Sequence, residues 1–289
     1  MKAMDEKTRL TIDKIVAKTV QQVGFKQPPI LIDPILQELE VNRNFVDLED
    51  ANLLGKVKNI LRIGGAILVN ILEKIKLEGL WFPKEETILV QKSLPGPKID
   101  WASFHELNHG LLPWHRPYFL GDTAQTLDPD FQEMLENEAN YGASALMFGG
   151  LMFTKEAVDT LPGWKSIKML QKRYKKSLVT TTRRYVGFSH SIPMSLVIST
   201  PWWMEKPEEQ NDRIRHLVLS DQFRREFGNI NREGILNLID KYASMRKGGI
   251  VGEFQFRMKD LNGNFHEFHA ESFFNVHYLL TLITLKGQN

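Results

Sequence analysis

The segment FHELNHGLLPWH, residues 104–115, contains two histidines four positions apart, with a glutamate directly after the first. Residues i and i+4 of a helix lie on the same face, so His105 and His109 can direct their ring nitrogens at one point. Zinc binds such nitrogens and keeps room for a third protein ligand and a water. Glu106 can reach that water and act as a general base. The spacing therefore predicts a hydrolytic metal site.

A helix whose histidines only pack or cap is the alternative interpretation of this HExxH pattern. The chain has 8 histidines among its 289 residues. A chance match somewhere in such a chain has odds on the order of one or two in a hundred, so the pattern favours a metal. Because the chain contains no cysteine, any metal must be bound by His, Asp or Glu side chains.

A third ligand is expected downstream, where the segment LENEANYGA offers Glu136 and Glu138. Helical periodicity leaves both open, since Glu138 lies nearer the apolar stripe whereas Glu136 precedes Asn140 by one turn. If Glu136 binds the metal, Asn140 is placed to orient a ligating imidazole. A solvated helix face is the alternative for both glutamates.

Two helices and a hairpin are the elements predicted to position these residues. The HExxH segment forms one helix, and FQEMLENEANYGASALMF forms the other, with apolar residues at spacings of four, four, three and four. Upstream, GLWF and TILVQK are β-rich runs separated by PKEE, which predicts a hairpin. A strand beside an HExxH helix can pair with an extended peptide.

The N-terminal region is predicted to be helical. A first amphipathic helix ends near Gly24, a short helix covers IDPILQEL, and an apolar, mostly helical region runs from Leu48 to Lys76. The most apolar run, IGGAILVNIL, is too short to span a membrane. The N-terminus has no secretory h-region. We therefore predict a cytoplasmic protein without a membrane partner.

The pattern changes after Phe153, where LPGW interrupts the helices. Two short basic helical segments follow, and from Ser191 strands alternate with helices. RIRHLVLS is followed by a linker rich in Gly and Asn, and two later strands joined by LNG predict a hairpin. The last segment, FFNVHYLLTLITL, is compatible with strand or helix. A domain boundary is expected near Phe153, with a smaller α+β module from about Ser191.

The composition gives the chain no large net charge that would attract a charged partner. The 37 Lys and Arg nearly balance the 35 Asp and Glu, which leaves a net charge of +2. The net charge therefore does not favour binding to nucleic acid or to a membrane surface. The basic stretch from Lys165 to Arg184 is accounted for by solvated helix faces, and its alternative is a contact with DNA or with a partner protein.

HELNHGLLPWH followed by ENEANYGASALM resembles the ImmA/IrrE family of metallopeptidases, over about Trp81 to Phe153. The resemblance implies a zincin-like α+β peptidase domain with a small sheet over 1–153. It further implies a helical, helix-turn-helix-like segment over 154–190 and a smaller α+β, GAF-like sensor domain over 191–289. The implied activity is zinc-dependent cleavage of a regulatory protein, a helix-turn-helix transcriptional repressor.

The same resemblance assigns roles to individual residues. It implies His105, His109 and Glu136 as metal ligands and Glu106 as the base, with zinc as the metal and manganese or another divalent ion as the alternative. Three positions depart from the family pattern: Asn108 replaces a small residue, Gly142 a phenylalanine and Phe148 a proline. None of the three removes a ligand or the base.

A function of another class competes with the peptidase: a non-proteolytic regulator that binds a transcription factor or DNA. The intact Glu106 favours the enzyme, because a binding module needs no general base. Among the other histidines, His115 follows Pro113 and is expected to be structural or at the surface. His266 and His269 lie three apart on a predicted strand, so they face opposite sides and are poor joint ligands.

Overall fold

The computed structural model describes residues 4–48, 50, 78–119, 129–204, 213–245 and 248–286. Within these ranges nine α-helices and eight strands form a mixed α+β protein with two separate sheets. The predicted α+β class is thus confirmed. The chain divides into two compact units, Met1–Met152 and Phe153–Asn289. The finer division into 1–153, 154–190 and 191–289 stays a prediction, and the predicted helical region over 51–76 lies outside the described residues.

The first unit contains four helices and a three-stranded sheet. In chain order its elements are α1 (Glu6–Val23), α2 (Ile32–Glu38), β1 (Asn42–Val46), β2 (Gly79–Phe82), β3 (Thr87–Gln91), α3 (Gly96–Leu111) and α4 (Pro129–Met147). Helix α1 begins at the Asp5 side chain, which accepts a hydrogen bond from the Thr8 amide at 3.0 Å. It ends at Gly24, whose φ of 79° stops the helix as predicted.

The sheet of the first unit has the order β1-β3-β2. Strands β2 and β3 pair antiparallel, which confirms the predicted hairpin. Strand β1 pairs parallel to β3 and was not predicted. Its sequence, NRNFV, is mostly polar, and Phe45 is exposed. A strand that buries neither face has no period-two hydrophobic signal to detect.

Helices α3 and α4 pack against each other, and α3 also packs on β2 and β3. The contact with β2 depends on Gly110: a Cβ there would lie 2.6 Å from the indole ring of Trp81. Since Trp81 is fully buried, the missing side chain lets the strand approach the helix closely. The HExxH segment therefore lies between a strand and a second helix, as its sequence predicted.

The second unit contains five helices and a five-stranded antiparallel sheet of order β5-β4-β8-β7-β6. Its elements, beginning with a helix that crosses the unit boundary, are α5 (Leu151–Val158), α6 (Trp164–Tyr174), α7 (Leu178–Phe188), β4 (Met194–Ser199), β5 (Ile214–Leu219), α8 (Asp221–Phe227), α9 (Arg232–Tyr242), β6 (Gly249–Lys259), β7 (Phe265–Phe274) and β8 (Leu279–Leu285). The predicted basic helices and the predicted hairpin are confirmed. The undecided last segment contributes the end of β7 and the strand β8.

Helix α8 corrects one prediction, since the residues after RIRHLVLS were expected to form a linker. Ser220 caps this helix by accepting a hydrogen bond from the Phe223 amide at 3.1 Å. Phe223 and Phe227 are then buried against the sheet, in a core shared with α9. Burial of two aromatic rings stabilises a seven-residue helix that is too short to stand alone. No helix in the described ranges is long and apolar enough to cross a membrane.

Candidate metal centre

His105, His109 and Glu136 meet where α3 faces α4, with one ligand atom of each within 4.8 Å of the others. The two Nε2 atoms are 3.1 Å apart, and the Glu136 carboxylate lies 3.2 Å from His105 Nε2 and 3.5 Å from His109 Nε2. Two nitrogens bound at about 2.0–2.1 Å to a tetrahedral zinc are about 3.3 Å apart. The spacing of the three side chains therefore fits a divalent metal ion.

The outer nitrogen of each imidazole is held by a hydrogen-bond partner. His105 Nδ1 lies 3.1 Å from Asn140 Oδ1, which confirms the predicted contact between Asn140 and an imidazole. His109 Nδ1 lies 3.0 Å from the Nδ1 atom of His115. Both Nδ1 atoms are thus engaged away from the cluster, and both Nε2 atoms face Glu136. This is the arrangement that ligating histidines adopt.

The side chains of the centre differ in their exposure to solvent. The Glu136 side chain is 57% exposed, whereas that of His109 is 3% exposed. Burial lowers the pKa of His109 to about 4. His109 is therefore neutral at physiological pH and carries the lone pair that a metal requires.

The other two groups attract a positive charge. Burial alone lowers the pKa of His105, but the hydrogen bonds to Glu136 and Asn140 and the negative charges of Glu106 and Glu136 together outweigh it, and the pKa of His105 is raised. Burial likewise raises the pKa of Glu136, and its bonds to His105 and His109 outweigh this and lower it. Without a metal, a proton on His105 therefore neutralises Glu136. A divalent cation would take the place of that proton.

Glu106 lies beside the centre and is not a member of the three-residue cluster formed by the described side chains. Burial raises its pKa to about 7, against the opposing charge of His105. The nearby backbone amide of Trp81 lowers the pKa of the Glu106 carboxyl, but less than burial raises it. A Cβ on Gly79 would lie 2.7 Å from Glu106 Cγ, so this glycine leaves room for the side chain. A carboxylate with a pKa near neutrality can both take up and release a proton.

Glu138, the second candidate for third ligand, faces a different group of residues. Its Oε2 atom accepts a hydrogen bond from Trp114 Nε1 at 2.6 Å and lies 2.9 Å from His115 Nε2. Glu138 and His115 are both buried. The geometry thus separates two carboxylates that the sequence left as alternatives. His115 is buried rather than at the surface, and it contacts the candidate ligand His109, which sequence reasoning missed.

The position of His115 follows from how α3 ends. The helix stops at Leu111, and the turn through Pro113 closes with a 2.9 Å hydrogen bond from the His115 amide to the Leu112 carbonyl. This turn brings the His115 ring back to His109. Pro113 was the sequence signal for this turn, because a proline shortly after a helix cannot continue it and so marks where the chain leaves the helix.

The remaining histidines of interest lie in the second unit and do not form a joint site. His266 Nε2 is 3.0 Å from Asp260, and His269 Nδ1 is 3.7 Å from Glu253. Both lie on β7, three residues apart, so they face opposite sides of the strand as predicted.

Two departures from the family pattern contact each other inside the first unit. Asn108 is fully buried, and its Nδ2 donates a hydrogen bond to the Phe104 carbonyl at 2.8 Å. A Cβ on Gly142 would lie 2.3 Å from Asn108 Oδ1. The amide of Asn108 thus occupies space that a side chain at 142 would fill. The third departure, Phe148, is also fully buried.

Comparisons with known proteins give information about the fold and none about the activity. No protein-family model matches the chain, and no curated protein matches it. A solved structure described as a Mycobacterium tuberculosis transcriptional regulator is similar, with a TM-score of 0.50 at 10% sequence identity. The similarity covers 95% of this chain and 76% of that one. At this identity the likeness shows a related fold alone.

Proposed function

We propose that the protein is a zinc-dependent endopeptidase that cleaves a regulatory protein, with Glu106 as its general base. The observation that carries the proposal is the convergence of His105, His109 and Glu136 beside a buried Glu106 whose pKa is about 7. The three-residue cluster also suits manganese, so zinc is part of the proposal. We also propose that the protein is located in the cytoplasm.

The resemblance to the ImmA/IrrE family supplies the substrate class in this proposal: a helix-turn-helix transcriptional repressor. The similar solved structure is described as a transcriptional regulator, and a regulatory role for this chain agrees with that description. In the same proposal the first unit is zincin-like, residues 154–190 are helix-turn-helix-like and residues 191–289 form a GAF-like sensor.

The chain's own residues would divide the chemistry among them. His105, His109 and Glu136 would hold the metal, which supplies Lewis acidity toward the scissile carbonyl and lowers the pKa of water to about 7. Glu106 would take a proton from the attacking water on a carboxylate oxygen and return it to the leaving nitrogen. Peptide hydrolysis by this route needs no covalent attachment to the protein.

Strand β2 offers a place for an extended substrate. The Glu78 carbonyl accepts a hydrogen bond from the Gln91 amide at 3.0 Å, so it points toward β3. Backbone groups alternate along a strand, and Gly79 and Trp81 therefore direct theirs to the opposite edge. The Trp81 amide reaches Glu106 from that edge. A peptide paired along this edge would lie beside the base, which favours cleavage within a chain over removal of terminal residues.

The competing function is a regulator that binds a transcription factor or DNA without cleaving it. It shares the fold and the metal with the peptidase, and it differs in the need for Glu106. A carboxylate buried between a strand and a helix is costly for a protein that makes no use of its proton. This cost favours the enzyme.

The experiment that separates the two functions begins with metal content. We expect about one divalent ion per chain after purification without chelators. Glu106→Gln should retain the metal and lower cleavage by at least about 10²-fold, because it removes the proton acceptor. Exposed Glu133 on α4 provides the matched control, since Glu133→Gln makes the same change in charge and should leave cleavage unaltered.

Cleavage should be measured on a library of extended peptides and on helix-turn-helix proteins encoded by neighbouring genes. Metal-free protein would contradict the site. If the metal-loaded Glu106→Gln variant regulates its target as well as the parent protein does, the binding function would be established instead.

A further inference from the structure

We propose that His115 and Glu138 are positioning residues that hold His109 in the tautomer and orientation of a metal ligand. This inference rests on the proposed metal site and adds to it a second layer of two buried residues. The two residues would fix the orientation of His109 before a metal binds.

A continuous hydrogen-bonded path leads from α4 to the candidate centre. Glu138 Oε2 lies 2.9 Å from His115 Nε2, and His115 Nδ1 lies 3.0 Å from His109 Nδ1. Trp114 Nε1 donates to the same Glu138 oxygen at 2.6 Å. The path thus runs from a carboxylate through one imidazole to a second, whose far nitrogen faces Glu136.

The order of donors along this path follows from what each atom can do. A carboxylate oxygen accepts, so His115 Nε2 must carry the proton and donate it to Glu138. In a neutral imidazole the other nitrogen is then an acceptor, and His115 Nδ1 accepts from His109 Nδ1. His109 therefore carries its proton on Nδ1, which leaves the Nε2 lone pair directed at the centre. The carboxylate selects the metal-binding tautomer of a ring that it does not touch.

Burial shows that packing alone does not account for this arrangement. His115 and Glu138 have side-chain exposures of 0% and 6%. Removing a carboxylate and an imidazole from water is costly, and apolar residues of similar volume commonly stabilise a core equally well or better. The pair is explained if it serves the ring of His109.

The two candidate ligands are supported in different ways. His105 is oriented by the neutral amide of Asn140, at the partly exposed edge of α4. His109 is oriented by the buried pair of His115 and Glu138. Loss of the residues that support a ligating imidazole typically weakens metal binding about 10–100-fold. We therefore expect metal affinity to fall when the pair of His115 and Glu138 is replaced.

The decisive test compares metal affinity with the stability of the metal-free fold. In the double variant His115→Phe/Glu138→Met, the dissociation constants for Zn²⁺ and Co²⁺, measured by chelator competition, should rise about 10–100-fold. The metal-free variant should unfold at the same denaturant concentration as the metal-free parent, or at a higher one. A structural pair would give the reverse: lower stability of the metal-free protein and unchanged metal affinity.

A second variant covers the case in which the double variant does not fold. Glu138→Gln keeps an oxygen that can accept from His115 and lacks the charge, so we expect a weaker Zn²⁺ affinity than the parent and a stronger one than His115→Phe. Nitrogen NMR of the Zn²⁺-loaded parent should show a protonated His109 Nδ1, and the His115→Phe variant should show a mixture of tautomers. Glu133→Gln on the same helix is the control and should match the parent.

The outcomes separate this inference from the proposed function. A parent that binds neither Zn²⁺ nor Co²⁺ overturns both. A parent that binds Zn²⁺ tightly, with variants of equal affinity and an unchanged His109 tautomer, overturns the positioning role and leaves the metal site standing. Weaker binding in both variants supports the positioning role, whether or not a peptide is cleaved.

Discussion

Two interiors of the molecule, the surroundings of α3 in the first unit and the core between α8, α9 and the sheet in the second, bury different kinds of side chain. Around α3, ionisable groups are buried, among them Glu106, His109, His115 and Glu138. In the second unit, the core between α8, α9 and the sheet is a cluster of aliphatic and aromatic residues. Burial of apolar surface alone accounts for that second core.

The difference separates stability from chemistry. A buried carboxylate or imidazole costs free energy unless it is paired, and His109, His115 and Glu138 are paired with one another. Such groups are expected where a protein needs protons and lone pairs in fixed places. The predictions below test whether the two interiors differ in this way, beginning with the largest effect.

The largest effect is expected in the apolar core. Phe268 is fully buried, and its ring lies 5.0 Å from that of Phe227 and 5.6 Å from that of Phe256. Phe268→Ala removes these contacts and leaves a cavity, so it should lower the free energy of unfolding by about 3–5 kcal/mol. Denaturant titration measures the loss. Phe265→Ala, at an exposed position on the same strand, should change it by less than about 0.5 kcal/mol.

The same variant should leave the metal affinity of the first unit unchanged. A Phe268→Ala protein that binds Zn²⁺ more weakly at temperatures where it stays folded would contradict the separation of the two interiors.

Metal binding should stabilise the first unit selectively. A ligand that binds only the folded state adds about 2.7 kcal/mol at 100 times its dissociation constant. Because His105, His109 and Glu136 lie on α3 and α4, added Zn²⁺ should slow hydrogen exchange of the amides in those helices. Amides of β7 provide the internal control. Equal protection of both regions would show that the metal acts elsewhere or on the whole chain.

The dependence of metal affinity on pH should report one proton. The pKa of His105 is raised above its ordinary value of 6.5, whereas that of His109 is lowered to about 4. A metal requires both rings to be neutral. Affinity is therefore complete above the raised pKa of His105 and falls as the pH drops through it, while His109 stays neutral until the pH approaches 4.

Between those two limits the dissociation constant should rise about tenfold per pH unit, or about 1.4 kcal/mol, which corresponds to one displaced proton. Chelator competition with Co²⁺ from pH 5 to pH 8 measures the slope. A slope of two protons at pH 5 to 6 would show that His109 also titrates there, contrary to its burial.

Much of the first unit followed from its sequence, because its helices have a strong period. The HExxH spacing placed His105 and His109 on one face, and the apolar stripe of α4 fixed which side of that helix faces them. Periodicity could not choose between Glu136 and Glu138, since Glu138 lies nearer the stripe whereas Glu136 lies one turn before Asn140. The choice depends on the path of the chain after Pro113, which brings His115 to Glu138.

The elements that were missed share a physical cause. Strand β1 exposes its side chains, so its sequence carries no burial pattern. Helix α8 has only seven residues and owes its stability to Phe223 and Phe227 in a core formed by distant strands. The local sequence of neither element therefore carries a signal that predicts it. The three departures from the family pattern were visible in the sequence, but the contact between two of them was not.

That contact supplies a test within the polar interior itself. Gly142→Ala places a Cβ where Asn108 Oδ1 now lies, at 2.3 Å, so the amide must turn and weaken its bond to the Phe104 carbonyl. The variant should lose about 1–3 kcal/mol of stability. In an Asn108→Ala background the added methyl group no longer meets an amide and keeps only its contact with Ile12 Cγ2 at 3.3 Å, so the same substitution should cost less by about 0.5–3 kcal/mol. Denaturant titration of the four proteins of this cycle gives the coupling directly, and additive effects would show that Asn108 and Gly142 are independent.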